Sequence, residues 1–254
     1  NYMFGHNNVY ASISRGRRPG VISFSNDPSK IVRLQPEIIV SYEAGIKGNV
    51  LKSRLGYDFS LFYYDWSHFQ SSRLVSNDNG TKQYEASDAG KAHSIGLEAG
   101  LRYSFTPNIH LFGNYAYIDG KFNKKDGDGN EQELAGNRFR LTPKSSLAIG
   151  MDVNIPINKS SMFYLRPSYS YKSKVYFENE NTELLSQNGY GMLNCNLGMQ
   201  WNSKSIHYEV GLFGKNMLNK KYLIDAGNSG NQIGFPTFIA GAPSVFGVSF
   251  KVGF

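Results

Sequence analysis

Polar and apolar side chains alternate one for one through most of this chain, and no apolar run approaches the ~18 residues that a membrane helix needs. The clearest stretch sets Ile95, Leu97, Ala99, Leu101, Tyr103 and Phe105 against Ser94, Gly96, Glu98, Gly100, Arg102 and Ser104. The final residues repeat the pattern, with Phe246, Val248, Phe250, Val252 and Phe254 separated by Gly247, Ser249, Lys251 and Gly253. A period of two with one greasy and one small or polar face describes a β-strand between two different media. A free strand of this kind would be an aggregation edge, whereas a strand that closes a barrel in a membrane would not.

Ten such strands are expected, near 7–15, 37–48, 53–73, 91–106, 108–120, 138–155, 161–173, 189–202, 205–222 and 243–254. The connections near 48–53, 106–108, 156–160 and 202–205 are short and carry Gly, Pro, Asn or Ser, as hairpins require. The others, 16–36, 74–90, 121–137, 174–188 and 223–242, are long. Short turns on one side and long loops on the other are the asymmetry of outer-membrane barrels. The expected fold is therefore all-β, a transmembrane antiparallel up-and-down barrel with its short turns and Phe254 on the periplasmic side. Aromatic girdles are expected at Tyr103, Phe105, Trp201 and Tyr208 on that side, and at Tyr63, Tyr64, Trp66 and Tyr117 on the other.

Composition alone leaves a soluble β-sandwich open: 17 Tyr, 17 Phe, 2 Trp and 27 Gly fit any turn-rich β-protein. The chain opens on Asn1 without a signal segment, so a mature or truncated chain is expected. A single Cys195 excludes an internal disulfide framework. The net charge of +7 is spread along the chain instead of forming a basic stripe, which argues against nucleic acid and offers lipopolysaccharide as a partner for loop cations.

Several segments, in order, resemble the C-terminal part of TonB-dependent outer-membrane receptors. They are Tyr10–Gly20, the Gln35-Pro36-Glu37 step before Ser41–Lys47, Ala92–Glu98, Asn114–Asp119, Pro143, Gly214–Tyr222 with its Asn216-Met217-Leu218-Asn219 core, and Gly241–Ser244. Ser244 stands where the family pattern has Arg. The resemblance implies that residues 1–254 are part of a barrel of about 22 strands whose lumen holds a plug domain. The plug and the N-terminal strands are not among these residues. It further implies an active transporter for a scarce ligand such as a ferric siderophore, energised through TonB, located in the Gram-negative outer membrane, and not an enzyme. Phe254 would be the signal read by the barrel-assembly machinery. A self-contained barrel acting as an adhesin or surface protease is the alternative.

Charged residues on the polar faces, namely Glu43, Lys47, Asp58, Glu98, Arg102, Asp152, Arg166, Glu209 and Lys251, are expected to face a plug or a water-filled lumen. Ligand capture is expected in the long loops. Arg15, Arg17 and Arg18 offer guanidinium forks to an anionic chelate, or to lipopolysaccharide. Tyr84, Phe122, Tyr176, Phe177, Phe235 and Phe238 offer aromatic walls, or simple loop packing. Asp126, Asp128 and Asn130 have the spacing of a calcium loop, but Glu131 occupies the position that needs Gly, so no metal or cofactor is expected. Asp65 and His68 are the one acid–base pair near the outer rim, and three residues apart on a strand they would point to opposite faces. No catalytic residue is expected.

Overall fold

The computed structural model describes residues 1–24, 31–76, 80, 82–227, 230 and 232–254. The strands, in chain order, are β1 (Tyr2–Phe4), β2 (Asn7–Arg18), β3 (Ile22–Phe24), β4 (Ile31–Arg33), β5 (Glu37–Val50), β6 (Leu55–Ser67), β7 (Gln70–Ser76), β8 (Lys82–Asp88), β9 (Ala92–Thr106) and β10 (Ile109–Phe122). They continue as β11 (Ser145–Asn158), β12 (Ser161–Lys172), β13 (Val175–Tyr176), β14 (Ser186–Gln187), β15 (Tyr190–Ser203), β16 (Ile206–Lys215), β17 (Leu223–Gly227), β18 (Thr237–Ala240) and β19 (Val245–Gly253).

Eleven of them form one antiparallel sheet in the order β1-β2-β5-β6-β9-β10-β11-β12-β15-β16-β19, so every strand lies beside its sequence neighbour in the sheet. The sheet is open, with β1 and β19 at its two edges. The remaining eight pair as four hairpins, β3–β4, β7–β8, β13–β14 and β17–β18. Each hairpin lies within one long connection, and all of those connections leave the same edge of the sheet. The opposite edge carries only turns, at residues 5–6, 51–54, 107–108, 159–160 and 204–205.

Four elements differ from the sequence expectation, one of them the strand expected at 205–222, which stops at Lys215 because Asn216 takes a left-handed φ of 47°. β1 adds an eleventh strand, too short for its alternation to register. The strand expected at 53–73 stops at Ser67, because His68 takes a left-handed φ of 56° and the chain restarts as β7. The strand expected from 138 starts at Ser145, since Phe139 is drawn into an aromatic cluster above the sheet.

Register carries the two faces across the whole sheet. Tyr63, Ile95, Asp119 and, lower down, Leu61, Leu97, Tyr117 lie opposite one another on one face. Leu165, Leu197, Leu212 and Val248 continue it at the far end. These side chains are left open: Leu61 is 50% exposed, Ile95 55% and Val248 70%. An apolar face of this extent on a soluble monomer would be an aggregation liability, and it suits lipid. Along β9 the face runs from Tyr103 to His93, about 33 Å at ~3.3 Å per residue. Tilted as barrel strands are, that spans about 25 Å, the height of a membrane band.

The lower girdle is as expected, with Trp201 stacked on Tyr208 at 5.4 Å and Tyr103 edge-on to Phe105 at 6.3 Å. The upper one needs correction. Tyr63 and Tyr117 lie on the apolar face, but Tyr64 and Trp66 alternate to the polar face. There they join a chain of rings from Phe62 to Tyr64 (4.7 Å), Trp66 (5.8 Å) and Phe139 (5.4 Å).

Candidate functional site

The polar face collects all nine charged residues expected there. Lys47 stands opposite Asp58 in the β5–β6 register. Tyr10 donates its hydroxyl to Glu43 Oε1 at 2.6 Å. Arg166 reaches Asp152 (Nε–Oδ1 3.1 Å) while its guanidinium lies over the Tyr164 ring at 4.8 Å. Lys251 Nζ lies 3.2 Å from Glu209 Oε1, which also accepts the Tyr164 hydroxyl at 3.1 Å. Glu98 and Arg102 are exposed on the same face. A face this charged is stable only against water or another polar surface.

At the long-loop edge the chain closes over itself. Trp66, Phe69, Phe122 and Phe139 pack ring against ring at 5.2–6.0 Å. A second small core joins Phe177, Leu185 and Ala226. Beside the β7–β8 hairpin and the connection after β10 lies a cavity of about 550 Å³. That volume falls within the range of small-molecule sites. Its wall is polar, with the hydroxyls of Ser67, Ser72 and Ser87, and the carboxylates on it outnumber Arg73 and Lys91.

The residues expected to capture ligand scatter on inspection. The three arginines do not converge: β2 runs on to Arg18, so Arg15 and Arg17 follow the apolar face, opposite Val40 and Ile38. Arg18 points the other way, 3.9 Å from Glu37. Phe122 and Phe177, each 1% exposed, are core residues and correct the expectation of an aromatic wall. Tyr176 is held between the ammonium of Lys174 (4.8 Å) and the guanidinium of Arg138 (5.9 Å) and donates to Glu183 at 2.8 Å. Tyr84 donates to Glu178 at 3.0 Å, tying the β7–β8 hairpin to the loop after β12. Phe238, in β18, and Phe235, just before it, remain exposed. None of the nine lines the large cavity except through loops that they support; alternation could have placed Arg15 and Arg17, but nothing local signals the cavity.

Two chemical candidates make local hydrogen bonds. Asp126 spends its carboxylate on its own loop, accepting the N–H groups of Asp128 (2.8 Å) and Asn130 (2.9 Å) and the Asn130 side chain (3.2 Å). Those hydrogen bonds hold its pKa below the ordinary aspartate value. Among the described residues no group of three His, Cys, Asp or Glu is placed to hold a metal ion. His68 turns to Asp88 (2.8 Å) rather than Asp65, which stays on the apolar side opposite Val40.

The Gly214–Tyr222 segment acts as a clamp. Asn216, 4% exposed with φ 47°, donates to the carbonyls of Lys220 and Ala242, both at 3.0 Å, and accepts from Lys220 N at 2.8 Å. Asn219, also at φ 47°, accepts from Ser244 N at 3.4 Å. Tyr222 stacks on Tyr190 at 4.6 Å, and a side chain at Gly241 would overlap the Tyr222 ring. The motif thus ties the end of β16 to the approach of β19.

A family model described as TonB dependent receptor-like, beta-barrel matches residues 3–217. The chain belongs to that family. Barrels of this family sit in the outer membrane, and among the described residues no helix is long and apolar enough to cross a membrane. The metal-pseudopaline receptor CntO of Pseudomonas aeruginosa is 32% identical over 111 residues, covering 44% of this chain and 14% of that protein. The ferric yersiniabactin uptake receptor FyuA of Yersinia pestis superposes with a TM-score of 0.79 at 18% identity, over 99% of this chain and 36% of that one. BauA, the ferric preacinetobactin receptor of Acinetobacter baumannii, gives 0.69 at 20% identity over 97% and 34%. This chain therefore spans about a third of the solved receptors and 14% of the curated relative.

Proposed function

We propose that this chain is the C-terminal barrel part of an outer-membrane receptor that imports a scarce metal chelate, most simply a ferric siderophore, with energy from TonB. The observation that carries this reading is the sheet itself: one exposed apolar face, one charged face, and long loops sorted to one edge around a ligand-sized cavity. The family and the receptors it resembles, one named for metal-pseudopaline and others for ferric siderophores, support the ligand class. In this reading the long-loop edge is extracellular and its cavity takes part in capture. The charged face, from Glu43 to Lys251, beds the plug domain of the same receptor. Arg15 and Arg17, at the outer end of the apolar face, meet lipopolysaccharide. Phe254 lies at the periplasmic edge as the assembly signal. The protein moves its ligand without chemistry.

The test is growth of a strain carrying the full-length receptor, with and without TonB, on iron supplied as a chelate under starvation. Receptor induction by iron limitation and TonB-dependent growth are the expected results. Induction by another limitation, or uptake that persists without TonB, would overturn the assignment.

A further inference from the structure

Three of the five turns of the short edge are basic, which the net charge of the chain conceals. They carry Lys52, Arg54, Lys159 and Lys204 and not one Asp or Glu. All four are exposed, and none forms an ion pair among the described residues. Carboxylates stand back from this rim. Asp58 lies four residues into its strand, about 13 Å away. Asp152 and Glu209 are already engaged by Arg166 and Lys251.

Each of four turns is tied to the strand beside it by a backbone hydrogen bond, Asn49 N to His6 O (3.2 Å), Ser104 N to Arg54 O (2.8 Å), Asn154 N to Asn108 O (2.8 Å) and Asn202 N to Ser160 O (2.8 Å). Lys52 and Lys204 occupy left-handed backbone positions, each with φ 56°. Hairpin turns ordinarily give such positions to Gly or Asn, so lysine is kept here against its backbone preference. Aromatic rings of the apolar face stand near the turns of Arg54, Lys159 and Lys204. The stacked Trp201 and Tyr208 stand on the two strands that the Lys204 turn joins, and Trp201 is the register partner of Ser161, two residues beyond Lys159; the two turns are two strands or about 10 Å apart. Tyr103 and Phe105 flank Ser104, the residue bonded to Arg54.

Unpaired cations beside a ring belt, at the boundary of an apolar face about 25 Å tall, are the chemistry of a lipid headgroup layer. We infer that the short-turn rim binds the phosphates of anionic phospholipids in the leaflet that it borders, with Lys159, Lys204 and the Trp201–Tyr208 stack as its strongest site. The inference rests on the membrane reading above. The rings would cover the glycerol region while the ammonium groups pair with phosphate, which orients the barrel and fixes its depth.

The test uses the full-length receptor extracted into nanodiscs of equal parts phosphatidylglycerol and phosphatidylethanolamine, with retained lipid counted by native mass spectrometry. The wild type should keep phosphatidylglycerol preferentially. K159Q/K204Q should lower that preference about tenfold, and K159R/K204R should restore it, since each basic group at such a surface contributes a several-fold preference. Equal retention by wild type and K159Q/K204Q, or failure of the arginine pair to restore it, would overturn the proposal. Heat-modifiable gel mobility is read on the same samples. If it persists while the lipid preference is absent, the rim proposal fails and the barrel reading stands; if the receptor runs as a detergent-free soluble protein, the barrel reading itself fails.

Discussion

Asn216 is the residue whose loss should report most clearly on how β16 and β19 are held together. Its side chain makes three hydrogen bonds from a nearly buried position, to Lys220 O, Lys220 N and Ala242 O. Each is worth about 1 kcal/mol, and removing the amide strands the partner groups in the clamp. Alanine must also adopt the left-handed φ of 47°, which costs about 1 kcal/mol more. Asn216→Ala should therefore destabilise this junction by about 4 kcal/mol. Asn216→Gly loses the same hydrogen bonds without the backbone strain and should cost about 3 kcal/mol. Urea unfolding of the full-length receptor in detergent, followed by heat-modifiable mobility, measures the series. An alanine variant within about 1 kcal/mol of wild type, or a glycine variant worse than alanine, would refute the clamp.

Three further outcomes follow from packing and charge. Phe122→Ala should destabilise the loop cluster by about 3–5 kcal/mol, with Phe122→Leu recovering most of it; a large loss of ligand affinity at unchanged stability would instead make Phe122 a ligand wall. Leu97→Arg, in mid-strand on the apolar face, should cost about 2–4 kcal/mol in membrane-inserted stability, whereas Glu98→Gln beside it should be nearly neutral in the same unfolding assay. In the loop after β12, hydrogen bonds from Lys174 and Tyr176 hold the Glu183 pKa below its ordinary value of 4.5, and Glu183 holds the Lys174 pKa above 10.5. A depressed carboxylate contributes stability above its unfolded pKa, and a raised ammonium contributes it below its own. Proteolytic protection of residues 173–189 should thus be flat across neutral pH, fall as pH drops below about 4.5 and fall again above about 10.5.

How much of this was legible in the sequence depends on the range of the interactions involved. Alternation in Ile95–Phe105 or Leu193–Trp201 is a local consequence of the two media, so strands, faces and the sorting of loops could be read directly. The aromatic girdle was legible only where parity was respected. Tyr63 and Tyr64 are adjacent and cannot share a face, which is why Tyr64 and Trp66 belong to the inner ring cluster. Arg15, Arg17 and Arg18 looked like a loop cluster, although the alternation of Val9, Ala11 and Ile13, carried on through β2, sends Arg15 and Arg17 to the apolar face and Arg18 to the other. Phe122 is buried by rings 17 or more residues away, and Phe177 by Leu185 of its own loop together with Ala226 of another, which alternation cannot show. The cavity, assembled from several loops, left no local trace at all. The basic rim was present in the turns all along but disappeared in a net charge summed over the chain.

The central claim is that one face of this sheet meets lipid and the other does not. It is tested most directly by placing a fluorophore on single cysteines at positions 95 to 102 of β9, in the full-length receptor with Cys195→Ala, reconstituted into liposomes with brominated lipid. Quenching should alternate with every residue, strong at 95, 97, 99 and 101 and weak at 96, 98, 100 and 102. Uniform quenching, no quenching, or strong quenching at the even positions would contradict it.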